Sequence, residues 1–482
     1  MASEEKQKRK VERITDMETD FAQWYTDVCT KAELIDYTGV KGMYVLRPYG
    51  YAIWENIMRE LDARFKTDGH ENVSMPMLIP ESLLQKERDH VAGFAPECAW
   101  VTHGGDEELE ERLCIRPTSE TLFCEHWART VTSWRDLPVL YNQWNSVLRW
   151  EKTTRPFLRH REFHWQEGHT LHETAAEALE ETRQQLEVYA DICEQYLAMP
   201  VTRGRKSDME KFAGAERTYT IECMMHDRKA LQSGTSHYFG DGFARAFNIT
   251  FSDRENKLQY PHQTSWGFST RTIGGLIMTH GDNSGLVIPP KIAPIELVVV
   301  PVASQKQGVN EAAGRLLAAL QNAGFRAKGD FSDNSPGWKF AQYEMKGVPL
   351  RLEIGPRDIE AGVCVAARRD NGEKTQIPLA GAADGVRALL DNIQGALYKK
   401  ASDNLESHTY AAEAIPDVLN VIAAGGGFIK ALWCGAGECE DAMKLKAGVS
   451  SRCIPFNQDL SDGACVACGK PASETVLWGV AY

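Results

Sequence analysis

Along residues 49–71, YGYAIWENIMRELDARFKTDGHE, the apolar side chains Trp54, Met58, Leu61 and Phe65 recur at helical spacing with charges between them. Steps of three and four residues put them on one face, so the segment predicts an amphipathic helix, ended by Asp68-Gly69. Residues 1–40 read as a charged helical arm leading into a turn. The run Asn72 to Ile79 predicts a strand interrupted at Pro76, which has no N–H for a ladder and therefore belongs at an edge or interface. Residues 139–169 predict two strands around a basic loop. The first carries Val147-Leu148-Arg149-Trp150-Glu151, the loop holds Arg155, Pro156, Arg159, His160 and Arg161, and the second begins at Glu162. A helix over 171–197 follows, with Leu179, Leu186, Ala190 and Cys193 on one face. Residues 200–260 alternate short strands with polar segments, and a strand near 262–266 passes through Gly267 into a segment ending at Ile277.

From residue 293 the pattern changes. IELVVVPVA is a continuous β-branched run, as in a strand covered on both faces. A helix Asn310–Asn322, strands in GVPLRLEIGP and AGVCVAARR, and a helix from Asp384 to Lys400 complete an alternating α/β unit. Its boundary is expected in the proline-rich stretch Pro289-Pro290 to Pro294. Three units follow from this reading, 1–290, 291–400 and 401–482, and the 482 residues are too many for one ordinary core.

Composition narrows the class only a little. Hydrophobic residues make up 43% and charged residues 25%, ordinary values for a globular protein in water. No apolar run approaches the roughly 18 residues of a membrane span. MASEEKQKRKVERITDMETDF has no apolar stretch after its basic residues, so neither a membrane partner nor a signal peptide is expected. Twelve unevenly spread cysteines point to a reducing, cytoplasmic compartment. The net charge of -13 argues weakly against a nucleic-acid partner, but residues 301–400 carry 14 Lys+Arg against 11 Asp+Glu and alone have a positive balance.

Cys434, Cys439, Cys465 and Cys468 form a C-x4-C…C-x2-C pattern with Gly435, Gly437 and Gly469 among them. Two close pairs of soft thiolates suit a tetrahedral, structural Zn²⁺ site; Cys453, between the pairs, could replace one ligand. Other segments are dense in polar chemistry: Arg116-Pro117-Thr118-Ser119-Glu120, the loop after Arg149, Glu167-Gly168-His169, Gly234-Thr235-Ser236-His237 and Trp266-Gly267-Phe268-Ser269-Thr270-Arg271. Two arginines on such segments can clamp a polyphosphate. No GxxxxGK[ST] run supplies a P-loop. Residue types and spacing alone go no further than a large enzyme that handles an anion.

The same segments resemble the prolyl-tRNA synthetases along nearly the whole chain. Residues 50–76 are similar to the family's first class II motif, Leu148-Arg149-Trp150-Glu151 to the second and Gly267 to Arg271 to the third. RPTSE, TRPFLRHREFHWQEGHT, QSGTSHYFG and SWGFSTRTIGG are more specific. The resemblance is to the archaeal and eukaryotic-like type, whose zinc-bearing terminal domain ends in a tyrosine, here Tyr482. It implies an α+β catalytic domain built on an antiparallel six-stranded sheet, an α/β anticodon-binding domain and a small α/β zinc domain. It implies proline activation by ATP and Mg²⁺, transfer to tRNA(Pro), and a homodimer. Arg149 and Arg271 would hold phosphates; Thr118, Glu120, Arg149, Trp165, Glu167, His169, Phe212, His237 and Ser269 would bind proline. Glu151, Arg161, Gln232 and Thr235 would meet ATP, and Glu222 its ribose or Mg²⁺.

Residues 152–266, between the second and third motifs, are too few to hold the editing insertion of many bacterial relatives, so no editing in cis is expected. The anticodon surface is expected on Gly337 to Lys374, with Lys339, Phe340, Glu344, Lys346, Glu353, Arg357, Arg368, Arg369 and Lys374. A carboxylate can accept from guanine N1–H and N2–H₂, and aromatic rings suit unstacked bases, so Glu353 and Arg357 are the expected base readers. An ordinary solvated face is the alternative there. For the whole chain the rivals are a tRNA-binding protein on an inactive synthetase fold and a threonyl-type synthetase; the intact arginines and the missing zinc pocket ligands oppose them.

Overall fold

The computed structural model describes residues 13–90, 98–458 and 463–482; residues 1–12, the start of the expected N-terminal arm, lie outside that range. The long amphipathic helix runs Pro48–Thr67. Pro48 stands at its first position, where a fixed φ suits a helix and no N–H bond is lost. Ile53, Trp54, Ile57, Leu61 and Phe65 form its buried stripe, with Met58 partly buried beside them. Phe65 packs on Trp266 of the central sheet with ring centroids 5.0 Å apart. Pro76 falls between two short strands, Glu71–Asn72 and Leu78–Pro80, instead of within one. The Arg116 guanidinium takes the carbonyl of Met75 at 2.9 Å, so this arginine of the RPTSE segment is a structural clamp.

Six antiparallel strands make the catalytic sheet, in the order Thr202–Arg205, Arg217–Met224, Ala230–Gly240, His262–Ser269, Glu162–His172 and Val139–Leu148. The segment expected to be helical from 171 starts as the end of a strand. The helix begins at Ala175, where Thr174 and Glu177 exchange capping bonds, and a wider turn over Ile192–Tyr196 ends it. Its buried face includes Ala178, Leu186, Tyr189, Ala190 and Cys193, while Leu179 is only half-buried.

The second unit has a mixed five-stranded sheet in the order Ala327–Gly329, Leu297–Pro301, Leu350–Ile354, Val363–Arg368, Lys374–Pro378. The Leu297–Pro301 run is buried along its whole length. The helix expected to end at Lys400 continues to Ser407, spanning the boundary drawn there from sequence. The C-terminal unit is joined to the catalytic one edge to edge. Ile454 and Pro455, in the strand Ser450–Pro455, pair with Arg205 and Gly204, and the sheet continues through Glu474–Gly479, Phe428–Trp433 and Thr409–Ala412. Among the described residues no helix is long and apolar enough to cross a membrane.

Candidate active site and metal centre

Register assembles the site. Side chains two apart on a strand share a face. In the sheet, Glu167 lies opposite Gln143 on one side and Gly267 on the other, His169 opposite Ser265, His237 opposite both Ser265 and Thr218, and Thr235 opposite Gly267. This row floors a cavity of about 200 Å³. Gly267 keeps the floor low: a Cβ there would stand 3.1 Å from the Trp165 ring. Gly168, pointing to the other face, leaves room for Trp266, whose ring a Cβ would overlap at 2.2 Å.

One end of the cavity is acidic. Glu120 opens the helix Glu120–Thr130, and Thr118 Oγ1 and Ser265 Oγ donate to its two carboxylate oxygens. Glu167 is fully enclosed and accepts from Ser119 N and Oγ, Gln143 Nε2, Asn145 Nδ2 and His169 Nε2 at 2.6–3.2 Å. Burial alone would raise its pKa, but these donors and the His169 ring hold it below the ordinary carboxylate value. Glu167 therefore sits in the wall as a fixed anion. His237 donates or accepts with Thr218 Oγ1 at 3.0 Å, and Phe212 packs on its ring. Burial, with His169 and Arg149 nearby, pushes the His237 pKa down to about 3, so the ring is neutral near pH 7.

The other end is basic. Arg149 follows the strand Val139–Leu148; its Nε donates to the Pro117 carbonyl at 3.0 Å, which aims the guanidinium without using up its charge. Its flat face lies over Phe163 and Trp165. Arg271 begins the helix Arg271–His280, and its Nε is tied to the Leu158 carbonyl at 3.2 Å. A cation at a helix N-terminus is unfavourable on its own. Burial, then Arg149 and Arg159, lowers the Arg271 pKa to about 10. The guanidiniums are thus held against mutual repulsion, a field suited to a polyanion.

Thr118, Glu120, Arg149, Trp165, Glu167, His169, Phe212, Gln232, Thr235, His237, Ser269 and Arg271 all line this one cavity. Glu151, Arg161 and Glu222 do not. Glu151 forms an ion pair with Arg159 at 3.9 Å, and Arg161 stacks on Trp150 and bonds the Glu151 carbonyl, so both belong to the loop beside the cavity. Glu222 corrects the sequence reading most clearly. It is fully buried, with Oε1 taken by Lys206 at 2.8 Å and Oε2 by Arg452 at 2.9 Å. Burial would raise its pKa, but the two cations prevail and lower it. A carboxylate so paired does not fit a contact to Mg²⁺ or ribose. Lys206, which spacing did not single out, lines the cavity beside it. No motif signalled it, because its partner Arg452 is far along the chain.

On the second unit the expected surface divides. Lys339 is buried and donates inward to the Asp330 carbonyl at 2.8 Å. Lys346 pairs with Glu33 and lies near the Tyr49 ring, and Arg369 makes a two-pronged contact to Asp282 at 2.6 and 2.7 Å. These three hold structure together and are not presented to a partner. Arg368 pairs with Asp370. Glu353 is itself buried and holds two cations: Lys374 Nζ meets both its oxygens at 3.0 Å, and Arg351 donates to Oε1 through Nε at 3.1 Å and Nη2 at 2.9 Å while lying 4.0 Å over the Phe340 ring. Glu344 and Arg357 are exposed nearby in the chain.

The four cysteines of the terminal pattern come together, their sulfurs all within 4.8 Å of one another. Cys434 Sγ is 3.6 Å from Cys439 Sγ and 3.8 Å from Cys468 Sγ. A tetrahedral ion with bonds of about 2.3 Å would separate its sulfurs by about 3.8 Å, so the cluster fits a Cys₄ metal site. Cys453 is buried elsewhere, among Met224, Ala230, Phe428 and Leu477, and replaces no ligand.

Three family models match in succession: the tRNA synthetase class II core domain (G, H, P, S and T) over residues 100–280, an anticodon binding domain over 296–389, and the prolyl-tRNA synthetase C-terminal domain over 415–482. The proline–tRNA ligase of Lachnoclostridium phytofermentans is 61% identical over 98% of this chain and 99% of its own. Proline–tRNA ligase 2 of Bacillus cereus is 58% identical over 98% and 100%. The crystal structure of the Cryptosporidium parvum prolyl-tRNA synthetase, complexed with halofuginone and AMPPNP, matches with a TM-score of 0.94 and 40% identity, covering 97% of this chain and 99% of that one. With a catalytic cavity of opposed charge, an anticodon unit and a Cys₄ centre on one chain, the protein belongs to the prolyl-tRNA synthetase family.

Proposed function

We propose that the chain's proline–tRNA ligase activity runs through the single cavity between Glu120 and Arg271, and that its two ends divide the labour. Proline enters with its imino nitrogen toward Thr118 and Glu120 and its ring among Trp165, Phe212, His237 and Ser269. ATP, with the Mg²⁺ it carries, lies toward Gln232, Thr235, Arg149 and Arg271. The proline carboxylate attacks the α-phosphorus; the new P–O bond forms as the bond to pyrophosphate breaks. Negative charge on the phosphates is met by Arg149 and Arg271, already fixed by Pro117 and Leu158, so little reorganisation is needed in the transition state. The terminal ribose hydroxyl of tRNA(Pro) then attacks the prolyl carbonyl and releases AMP.

Neutral His237 suits this pocket, because a charged ring would repel the proline nitrogen. The observation that carries the reading is convergence: positions from six separate segments meet at one concave space with an acidic and a basic end. The anticodon is read by Glu353, Phe340, Lys374 and the exposed Arg357. The Cys₄ cluster would hold Zn²⁺, which would supply folding stability to the terminal unit. The chain works in the cytoplasm as a homodimer joined through the first-motif region, with Met77 and Leu78 exposed directly after it.

The test is tRNA-independent ATP–pyrophosphate exchange with proline, alanine and threonine in parallel. Proline should be fastest. Alanine should be measurable, since an apolar pocket rejects a smaller side chain weakly. Threonine should stay at background. Exchange with threonine at the proline rate, or none with proline, would overturn the assignment. Hydrolysis of alanyl-tRNA(Pro) should not exceed the uncatalysed rate.

A further inference from the structure

Lys206 follows the strand Thr202–Arg205, and its backbone N–H bonds the Thr218 carbonyl at 2.8 Å. Its side chain lines the cavity, although the residue is almost wholly buried. Nζ donates to Glu222 Oε1 at 2.8 Å and to the backbone carbonyl of Arg452 at 2.7 Å. The guanidinium of the same Arg452 holds the other Glu222 oxygen through Nε at 3.1 Å and Nη2 at 2.9 Å. Arg452 lies in the strand Ser450–Pro455, which continues the catalytic sheet from the C-terminal unit. A second tie runs parallel: Ser207 Oγ donates to Glu440 Oε1 at 2.8 Å, and Glu440 follows the metal-site residue Cys439.

Three features set this triad apart from an ordinary brace. Two cations share the Glu222 carboxylate, and Lys206 is the one of them that lines the cavity. Of the three N–H donors on an ammonium, two are taken. Glu222 lies opposite Gln232 in the strand register, which places Lys206 toward the end assigned to the nucleotide. A buried ion pair is weak evidence for stability in its own right, and an apolar brace would serve that purpose as well.

We infer that Lys206 is a further substrate-facing residue of the activation step, giving its third N–H to an anionic oxygen of the bound nucleotide. Arg452 is a positioning residue that acts through Glu222 and its own carbonyl. The C-terminal unit thereby completes the catalytic cavity. This rests on the proposed division of the cavity into proline and nucleotide ends.

Lys206→Met, Arg452→Met and Arg452→Lys, in the full-length chain, test the inference. The readouts are calorimetric binding of a non-hydrolysable ATP analogue, exchange KM values for ATP and proline, and zinc content. Lys206→Met and Arg452→Met should each weaken analogue binding and raise KM for ATP about tenfold, the loss expected for one charge-assisted hydrogen bond. KM for proline should stay within about twofold, zinc should stay at the wild-type level, and Arg452→Lys should recover only part of the loss, because an ammonium keeps the charge but not the paired Nε and Nη2 contacts. Unchanged analogue binding by Lys206→Met, or a rise confined to the proline KM, would overturn the inference. If Arg452→Met fails to fold, Lys206→Met decides alone, because it leaves the Glu222–Arg452 pair in place. Absence of proline-dependent exchange in the wild type would sink the reading of the cavity instead.

Discussion

The catalytic cavity and the anticodon-binding unit start from similar raw material, short segments rich in arginine, lysine, glutamate and aromatic residues, and they use it differently. In the cavity, residues from distant segments arrive on one sheet face, because antiparallel register brings every second position together. In the second unit, the charged residues between Gly337 and Lys374 scatter. Lys346 and Arg369 reach across to Glu33 and Asp282 of the catalytic unit, Lys339 turns into its own core, and Glu353, Lys374 and Phe340 cluster with one another. Charge density in a sequence therefore does not define a site; the direction in which each charged side chain is held does.

The sharpest way to break this contrast is to remove one arginine from the cavity. Arg149→Ala should slow proline-dependent exchange about 100-fold or more, the scale of a lost transition-state contact. A rate within about threefold of wild type would mean that convergence on the cavity is only structural.

The second unit makes a smaller, divided prediction. Glu353→Ala should lower aminoacylation efficiency about tenfold, a loss of the size expected for one hydrogen-bonded base contact. A tRNA(Pro) transcript altered at an anticodon guanine should erase the difference between mutant and wild type. Arg369→Ala should lower the unfolding temperature and treat every transcript alike, since Asp282 loses its two-pronged partner. If Arg369→Ala instead behaves as a base-reading mutant, the structural assignment of that residue falls.

Acid should separate the two units more gently. Burial lowers the pKa of His160 and His237 to about 3, and of His172 and His280 to about 4. In the unfolded chain these rings take protons below about pH 6.5. The unfolded state then binds more protons, so stability falls as pH drops from about 6.5 toward the folded values. Each ring contributes at most on the order of 2 kcal/mol by pH 5. Glu167 and Glu222, with lowered pKa values, hold their contribution above the ordinary carboxylate range and lose it only at more acid pH. All four rings lie in the catalytic unit, and residues 281–407 contain no histidine. Hydrogen exchange at pH 5.5 against pH 7.5 should show the catalytic core loosening first; equal loosening of both units would contradict this.

Much of the cavity was legible because its motifs sit on strands and at helix starts, where local pattern fixes direction. Thr118, Glu120, Glu167, His237 and Arg271 could be named from residue types and family resemblance and are found together. Glu222 could not be read correctly: its carboxylate is claimed by Lys206, only sixteen residues away, and by Arg452, which no local pattern connects to it. Lys339 did carry a warning. It stands four residues before the buried Tyr343 on the helix Pro336–Met345, hence on its inward face. The metal centre was legible from spacing, whereas the separate burial of Cys453 became clear only from the packing around it.

The central claim is that the cavity activates proline without help from the anticodon surface. One experiment addresses it directly: ATP–pyrophosphate exchange without tRNA, run side by side on wild type, Arg271→Ala and Glu353→Ala, followed by aminoacylation of tRNA(Pro) by the same preparations. The account predicts that Arg271→Ala loses both activities, while Glu353→Ala keeps wild-type exchange and aminoacylates about tenfold less efficiently. Exchange surviving in Arg271→Ala, or collapsing in Glu353→Ala, would contradict it.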